Sequence, residues 1–296
     1  MRLAFTLVAP DFDALQDALP AALEAVAQAG RPSEGLEVLG DGAADLFVEG
    51  ADLATLRATA SRALERASVD FCVQPAAARL KRLLVADMDS TIIGCECLDE
   101  IADFAGLKAE VAAVTARAMA GEIPFEAALR QRVALLAGLD VASLQRTYDE
   151  RVRLNPGART LVRTMSALGA RCVLVSGGFE FFTRRVAEAA GFAGHRGNRL
   201  IDDGAHLTGA VAEPILGADA KLSALREEAA ALGVSVADTL AVGDGANDLA
   251  MIEAAGLGVA YRAKPIVAAG ADARVDTADL TALLYFQGVG QDAFVR

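Results

Sequence analysis

A chain of 296 residues exceeds the usual size of one domain, so two hydrophobic cores are expected. With 54% hydrophobic residues it is not a disordered chain, and a formal net charge of -12 with no basic stripe argues against nucleic acid and anionic membranes as partners. An anionic substrate would need local help, from a cation or from a few placed Arg and Lys residues.

Residues 1–76 read as strand 3–9, helix 11–29, short strands 36–39 and 45–49, helix 53–67 and strand 68–73, a βαββαβ order. Asp11 and Asp13 cut short the apolar run after Arg2, which is therefore a first strand and not a signal-peptide core. Gly40-Asp41-Gly42 marks a hairpin between the middle strands, and 74–79 is a connector. From Arg79 the pattern changes to short apolar strands, 83–86, 171–175, 239–242, 257–260 and 273–275, separated by helical stretches. That alternation predicts a doubly wound parallel sheet over residues 77–296. An almost wholly helical insertion at about 95–154 follows the first of these strands and is placed to cap the carboxyl edge of the sheet. Residues 196–211 read as a separate hairpin. No apolar run reaches the length of a membrane span, so a soluble protein is expected. Cys72, Cys95, Cys97 and Cys172 lack zinc-site spacing, His195 and His206 are not paired, and so few cysteines suit a reducing compartment such as the cytoplasm.

Three segments converge on the carboxyl edge of the sheet, where open α/β sheets bind ligands. In Asp87-Met88-Asp89-Ser90-Thr91, two acids end an apolar strand. An ionised Asp87 is a plausible nucleophile toward phosphorus, and Asp89, its pKa raised by a like charge, could carry the proton. Alone, the pair reads more readily as solvated acids capping the next element. Ser176-Gly177-Gly178 reads as a strand end and helix start whose small residues admit a phosphate, or as an ordinary turn. Gly243-Asp244-Gly245-Ala246-Asn247-Asp248 offers carboxylates for Mg²⁺ and an amide for a phosphoryl oxygen, or a bare Asp-Gly turn. Lys221 is either a surface charge or the fixed cation that phosphoryl transfer needs.

Asp87-Met-Asp-Ser-Thr, Ser176-Gly-Gly, Lys221 and Gly243-Asp-Gly-Ala-Asn-Asp, in this order and spacing, resemble the four motifs of the haloacid dehalogenase-like phosphohydrolases. The strings 87–102 and 242–248 are similar to the phosphoserine phosphatase branch, and the stretch before them is similar to the ACT-like domains of some bacterial members. The resemblance implies Mg²⁺-dependent hydrolysis of O-phospho-serine through an aspartyl phosphate, the last step of serine biosynthesis. Asp87 would be nucleophile and metal ligand, and Asp89 the general acid and base, with its backbone carbonyl on the metal. Asp244 would be a further metal ligand, with Asp248 in support. Ser176, Gly177, Lys221 and Asn247 would hold the phosphoryl group. Glu96, Met119, Phe125 and Arg132 in the cap, with Gly178, would bind the rest of the substrate. Glu96 would meet the ammonium and Arg132 the carboxylate. The same resemblance implies a small-molecule substrate, and leaves room for a homodimer and an amino-acid ligand at the N-terminal domain. Two other readings stand beside it: a phosphotransferase to an alcohol such as homoserine, and an amino-acid sensor with a vestigial phosphatase part.

Overall fold

The computed structural model describes residues 1–32, 35–119 and 122–296. The chain starts with β1 (Arg2–Val8), α1 (Phe12–Ala29), β2 (Arg31–Pro32), β3 (Glu37–Gly40), β4 (Ala43–Glu49), α2 (Leu53–Ala63) and β5 (Asp70–Pro75). Asp11 and Asp52 start the helices by accepting the N–H groups of Ala14 and Thr55 at 2.9 and 3.0 Å. The expected βαββαβ order is present, with β2 as an extra two-residue strand. β1 pairs antiparallel with β4 and β5, and β4 pairs antiparallel with β2 and β3. Alternation along the strands sorts the faces: Leu3, Phe5 and Leu7 of β1 and Leu46 and Val48 of β4 pack with the apolar sides of α1 and α2. On the other face Thr6 and Asp45 are fully buried, and Asp45 is satisfied by the Thr6 hydroxyl at 2.5 Å and by Arg79 at 2.8 Å.

The second unit begins at β6 (Leu83–Ala86). Four cap helices follow: α3 (Cys97–Phe104), α4 (Lys108–Met119), α5 (Phe125–Ala134) and α6 (Ala142–Arg151). The chain returns through α7 (Ala158–Ala167), β7 (Arg171–Phe179), α8 (Glu180–Ala190) and β8 (Gly194–Asn198), then forms the hairpin of β9 (Leu200–Asp202) and β10 (Leu207–Val211). It ends with α9 (Ala218–Leu232), β11 (Thr239–Gly243), α10 (Leu249–Ala254), β12 (Leu257–Tyr261), α11 (Pro265–Gly270), β13 (Ala273–Val275) and α12 (Ala282–Phe286). β8, β7, β6, β11, β12 and β13 lie side by side and parallel. Taken in chain order these strands follow a Rossmann arrangement, which reverses between β6 and β11. Leu83, Val85, Val173 and Val175 face α9 and α10, while Leu84, Ala86, Cys172 and Leu174 face α7 and α8.

The sheet differs from the sequence reading at β8 and at the join between its two parts. Residues 194–198 form β8, so the hairpin proper starts only at Leu200. Gly-His-Arg-Gly-Asn has no apolar alternation because it lies at the sheet edge, where one ladder of hydrogen bonds holds it. The two sheets also join: β5 pairs antiparallel with β13, Cys72 opposite Ala273 and Phe71 opposite Arg274. Among the described residues eleven strands thus make one sheet. The Asp70 carboxylate accepts the backbone N–H groups of Asp276, Thr277 and Ala278 at 2.7–3.2 Å, and the Gln74 amide donates to Phe286 O at 2.6 Å.

The hairpin props the cap. Gly138 N–H donates to Leu207 O and Val141 N–H to Ala205 O, at 2.8 and 2.9 Å, and Arg130 of α5 pairs with Glu213 at 2.6 Å. Gly209 has φ +79°, and a Cβ there would stand 2.8 Å from the Ala137 methyl, so only glycine lets hairpin and cap approach this closely. No described helix is long and apolar enough to cross a membrane.

Candidate active site

β6 is buried on both faces, as the central strand of a parallel sheet must be. The ladder continues one residue beyond it, Asp87 N–H donating to Val242 O at 3.0 Å, and this fixes Asp87 at the point where strand order reverses. Its Oδ1 accepts from Met88 N–H at 2.8 Å and pairs with Lys221 Nζ at 2.7 Å. Lys221 reaches in from the first turn of α9, is 2% exposed, and meets Asp248 Oδ1 at 2.5 Å. Asp248 is fully buried, and its second oxygen accepts from Gly245 N–H at 3.0 Å. Gly243 has to be glycine, because a Cβ there would lie 2.4 Å from the Asp248 carboxyl carbon.

Carboxylate oxygens of Asp87, Asp244 and Asp248 lie within 4.8 Å of one another. Two of these acids, Asp87 and Asp248, share the Lys221 ammonium, and half-buried Asp244 stands beside them. Burial raises the Asp87 pKa well above the ordinary carboxyl range, Asp248 raises it further, and Lys221 offsets only part. Asp244 is pushed up to about 6 by burial, then by Asp248 and Glu96. For Lys221, burial alone would lower the pKa, but Asp87 and Asp248 outweigh it and the ammonium is held more firmly than usual. This surplus of negative charge on hard oxygen donors fits a divalent cation. Asp248, given only a supporting part from the sequence, is a full member of the acidic group. The Asp89 carboxylate is not, and points elsewhere.

Asp89 Oδ1 accepts the N–H of Cys97, the first residue of α3, at 2.9 Å, and Oδ2 accepts from the Ser176 hydroxyl at 3.2 Å. Burial and then the nearby Glu96 push its pKa up to about 6. Ser90, in the left-handed region at φ 56°, reverses the chain after Asp89 and donates to Glu96 Oε1 at 2.7 Å. Ser176-Gly177-Gly178 does not open a helix: β7 runs on to Phe179 and α8 starts at Glu180. The missing side chains matter because a Cβ on Gly178 would stand 2.8 Å from Asp89 Oδ2, and one on Gly177 3.3 Å from the Phe125 ring.

Phe125, first residue of α5, thus lies over Gly177 and also near Gly217, beside a cleft of about 580 Å³ between α5 and the start of α9. Asn247, in the turn before α10, is exposed beside the acidic group. Glu96 is exposed at the N-cap of α3, and half-buried Arg132 donates to Ala128 O at 3.4 Å and Thr115 Oγ1 at 3.5 Å. Met119 is the last residue of α4 and its side chain lies outside the described residues. Sequence reasoning gave no role to Thr91 or Asn155. Asn155 donates to Thr91 O at 2.7 Å, and the Thr91 hydroxyl donates to Asp244 Oδ1 at 3.4 Å. A polar residue two positions after the paired acids, and an Asn where the insertion rejoins the core, were the available signals.

A helical lid over carboxylates gathered at the switch point of a Rossmann sheet places the molecule among the capped α/β hydrolases. The family model for haloacid dehalogenase-like hydrolases matches residues 84–253, and the chain belongs to that family. A phosphoserine phosphatase from Polaromonas sp. strain JS666 is 47% identical over 208 residues, 69% of this chain and 88% of that protein. A haloacid dehalogenase family hydrolase from Salmonella enterica serovar Typhi superposes with a TM-score of 0.85 at 29% identity, covering 96% of this chain and 98% of that one. A phospho-aspartyl intermediate analogue of a phosphoserine phosphatase superposes at 0.64 with 38% identity, over 70% of this chain and 99% of the other.

Proposed function

We propose that the chain hydrolyses O-phosphoserine to serine and inorganic phosphate by way of a phosphoryl group carried on Asp87. The observation that carries this reading is the pairing of two acids with different partners: Asp87 is bound to Lys221 at 2.7 Å, and Asp89, two residues on, is held by Ser176 and Cys97 with a pKa of about 6. Both named donors to Asp87 reach Oδ1, so Oδ2 is the oxygen that attacks phosphorus. As the P–O bond to serine breaks, Asp89 gives its proton to the leaving serine oxygen. The resulting carboxylate then takes a proton from the water that attacks the phosphoryl group and restores Asp87. Lys221, the Ser176 hydroxyl, Gly177 and Asn247 hold the phosphoryl oxygens, and the buried cation opposes the charge that develops on them.

Asp87, Asp244 and the Asp89 backbone carbonyl, with Asp248 beside them, would hold Mg²⁺, which when bound supplies charge neutralisation and orientation of the phosphoryl group. Glu96 and Arg132 would read the ammonium and carboxylate of the substrate, with Met119, Phe125 and Gly178 lining the pocket. Phosphoserine as substrate is supported by the names of the relatives and by these two opposite charges in one cap. For residues 1–76 the antiparallel βαββαβ sheet supports an ACT-like reading. An amino-acid ligand there, and a homodimer, rest on that likeness. Four free thiols suit the cytoplasm.

Phosphate release, with identification of the organic product, across phosphoserine, phosphothreonine, phosphohomoserine and a sugar phosphate tests the reading. Phosphoserine should give the highest kcat/KM and equal amounts of serine and phosphate. A higher value for a sugar phosphate, or transfer of the group to an added alcohol in place of release, would overturn it.

A further inference from the structure

We propose that Asn198 is a positioning residue of this phosphatase reaction, acting through the Gly177–Gly178 peptide on the Ser176 hydroxyl and thereby on Asp89; the inference rests on the function proposed above. Asn198 is the last residue of β8 and is 2% exposed. The register of β8 against β7 jumps at this place, from Val175 opposite Arg196 to Phe179 opposite Asn198. Residues 176–178 therefore bulge out of the ladder, and their backbone groups lose the strand partners that would have fixed them. The Asn198 side chain supplies the missing bond: its Nδ2 donates to Gly177 O at 2.8 Å.

That single bond orients more than a carbonyl. A peptide unit is planar, so fixing the Gly177 C=O also fixes the Gly178 N–H on the opposite side of the same plane. The Gly178 N–H donates to Ser176 Oγ at 2.8 Å. A hydroxyl with an acceptor site occupied still has one O–H to give, and before substrate binds Ser176 gives it to Asp89 Oδ2 at 3.2 Å. Two glycines in succession have no side chains to hold this plane, and without the amide only the bond from Gly178 N–H to Ser176 Oγ restrains it. Asn198 is itself locked. Its Oδ1 accepts from Leu216 N–H at 2.8 Å and its Nδ2 also donates to Leu216 O at 3.2 Å, a two-point grip on the segment just ahead of the helix that carries Lys221. The amide uses both of its ends, and every partner it holds is main chain, so the grip on Leu216 anchors the amide that holds the Gly177 carbonyl.

The test is a double-mutant cycle in the full chain, with phosphoserine and with p-nitrophenyl phosphate as substrates. Asn198→Ala should lower kcat by about 10- to 100-fold with KM changed by less than about threefold, since misplacing a proton carrier affects the reacting state more than binding. Asn198→Asp keeps the size and the acceptor to Leu216 N–H but cannot donate to Gly177 O, so it should lose kcat to a similar extent. In a Ser176→Ala background Asn198→Ala should cost less than about threefold, because the group through which it acts is already gone. An equal loss in both backgrounds would show general structural support and overturn the proposal, as would an Asn198→Asp variant with parental kcat. If the parent chain itself released no phosphate from either substrate, the proposed function would fail first, and this outcome is distinct from the others.

Discussion

Lys221 Nζ stands 2.7 Å from Asp87 Oδ1, with the two side chains 2% and 7% exposed, and the same ammonium also meets Asp248. A buried lysine holding two buried acids is a fixed charge that need not reorganise as a phosphoryl group gains negative charge. Lys221→Met should lower kcat by about 10²–10³-fold with an unchanged circular dichroism spectrum. It also leaves Asp87 and Asp248 without their cation, and Asp87 and Asp244, whose pKa values are raised in the folded state, favour their protonated form there. In metal-free buffer the variant's stability relative to the parent should therefore be greatest in acid, below the ordinary carboxyl range, and fall as the pH rises through the raised pKa values of Asp87 and Asp244, the latter about 6 with Lys221 in place and higher without it. Thermal melts at several pH values check the sign, and a deficit that shrank on raising the pH would contradict it.

Asp89 titrates near 6 because it is buried and because Glu96 is close. With p-nitrophenyl phosphate the leaving group needs no proton, so under the proposed mechanism turnover depends on Asp89 as a base and should rise through its pKa. Removing the like charge with Glu96→Gln lowers that pKa, and the rising limb of the kcat profile should move to lower pH. A limb that stayed in place or moved upward would separate Glu96 from the proton carrier.

Arg132 is the candidate reader of the substrate carboxylate, and p-nitrophenyl phosphate has none. Arg132→Ala should cut kcat/KM for phosphoserine by about a hundredfold, on the order of 3 kcal/mol for a charge-assisted pair, and leave p-nitrophenyl phosphate hydrolysis nearly unchanged. Equal losses on the two substrates would mean that Arg132 supports the cap.

The carboxylate of Asp70 holds three successive N–H groups of residues 276–278 and so fastens β5 to the end of β13. Asp70→Ala strands those donors at a buried junction. Unfolding by urea should show a loss of about 1–3 kcal/mol with kcat unaltered. A normal midpoint would indicate that the join between the two sheets is held elsewhere.

Much of this was legible in the sequence. The limits of β6 and β13 match the apolar runs, and the acids at the end of β6 are where strand geometry puts them. The βαββαβ order could be read because each element buries one face and repeats at its own period. β8 could not, since an edge strand of glycines and polar residues carries no period. The β5–β13 pairing joins residues some two hundred positions apart through backbone groups alone, and side-chain pattern does not encode that. In the site, residue types alone left Asp87, Asp89, Lys221 and Asp244 open to bland readings, and the order and spacing shared with the haloacid dehalogenase-like motifs singled them out. The full membership of Asp248 in the acidic group and the part played by Thr91 and Asn155 depend on distances that only the folded chain supplies.

The most direct test is to mix the Mg²⁺-loaded protein with phosphoserine, quench with acid within milliseconds to seconds, and map phosphate on the digested chain by mass spectrometry. A covalent route predicts an acyl phosphate on Asp87 that appears with the release of serine, decays as free phosphate accumulates, and is absent from Asp87→Asn. Serine and phosphate released together by an active enzyme with no adduct on Asp87 at any time, or full turnover by Asp87→Asn, would contradict it.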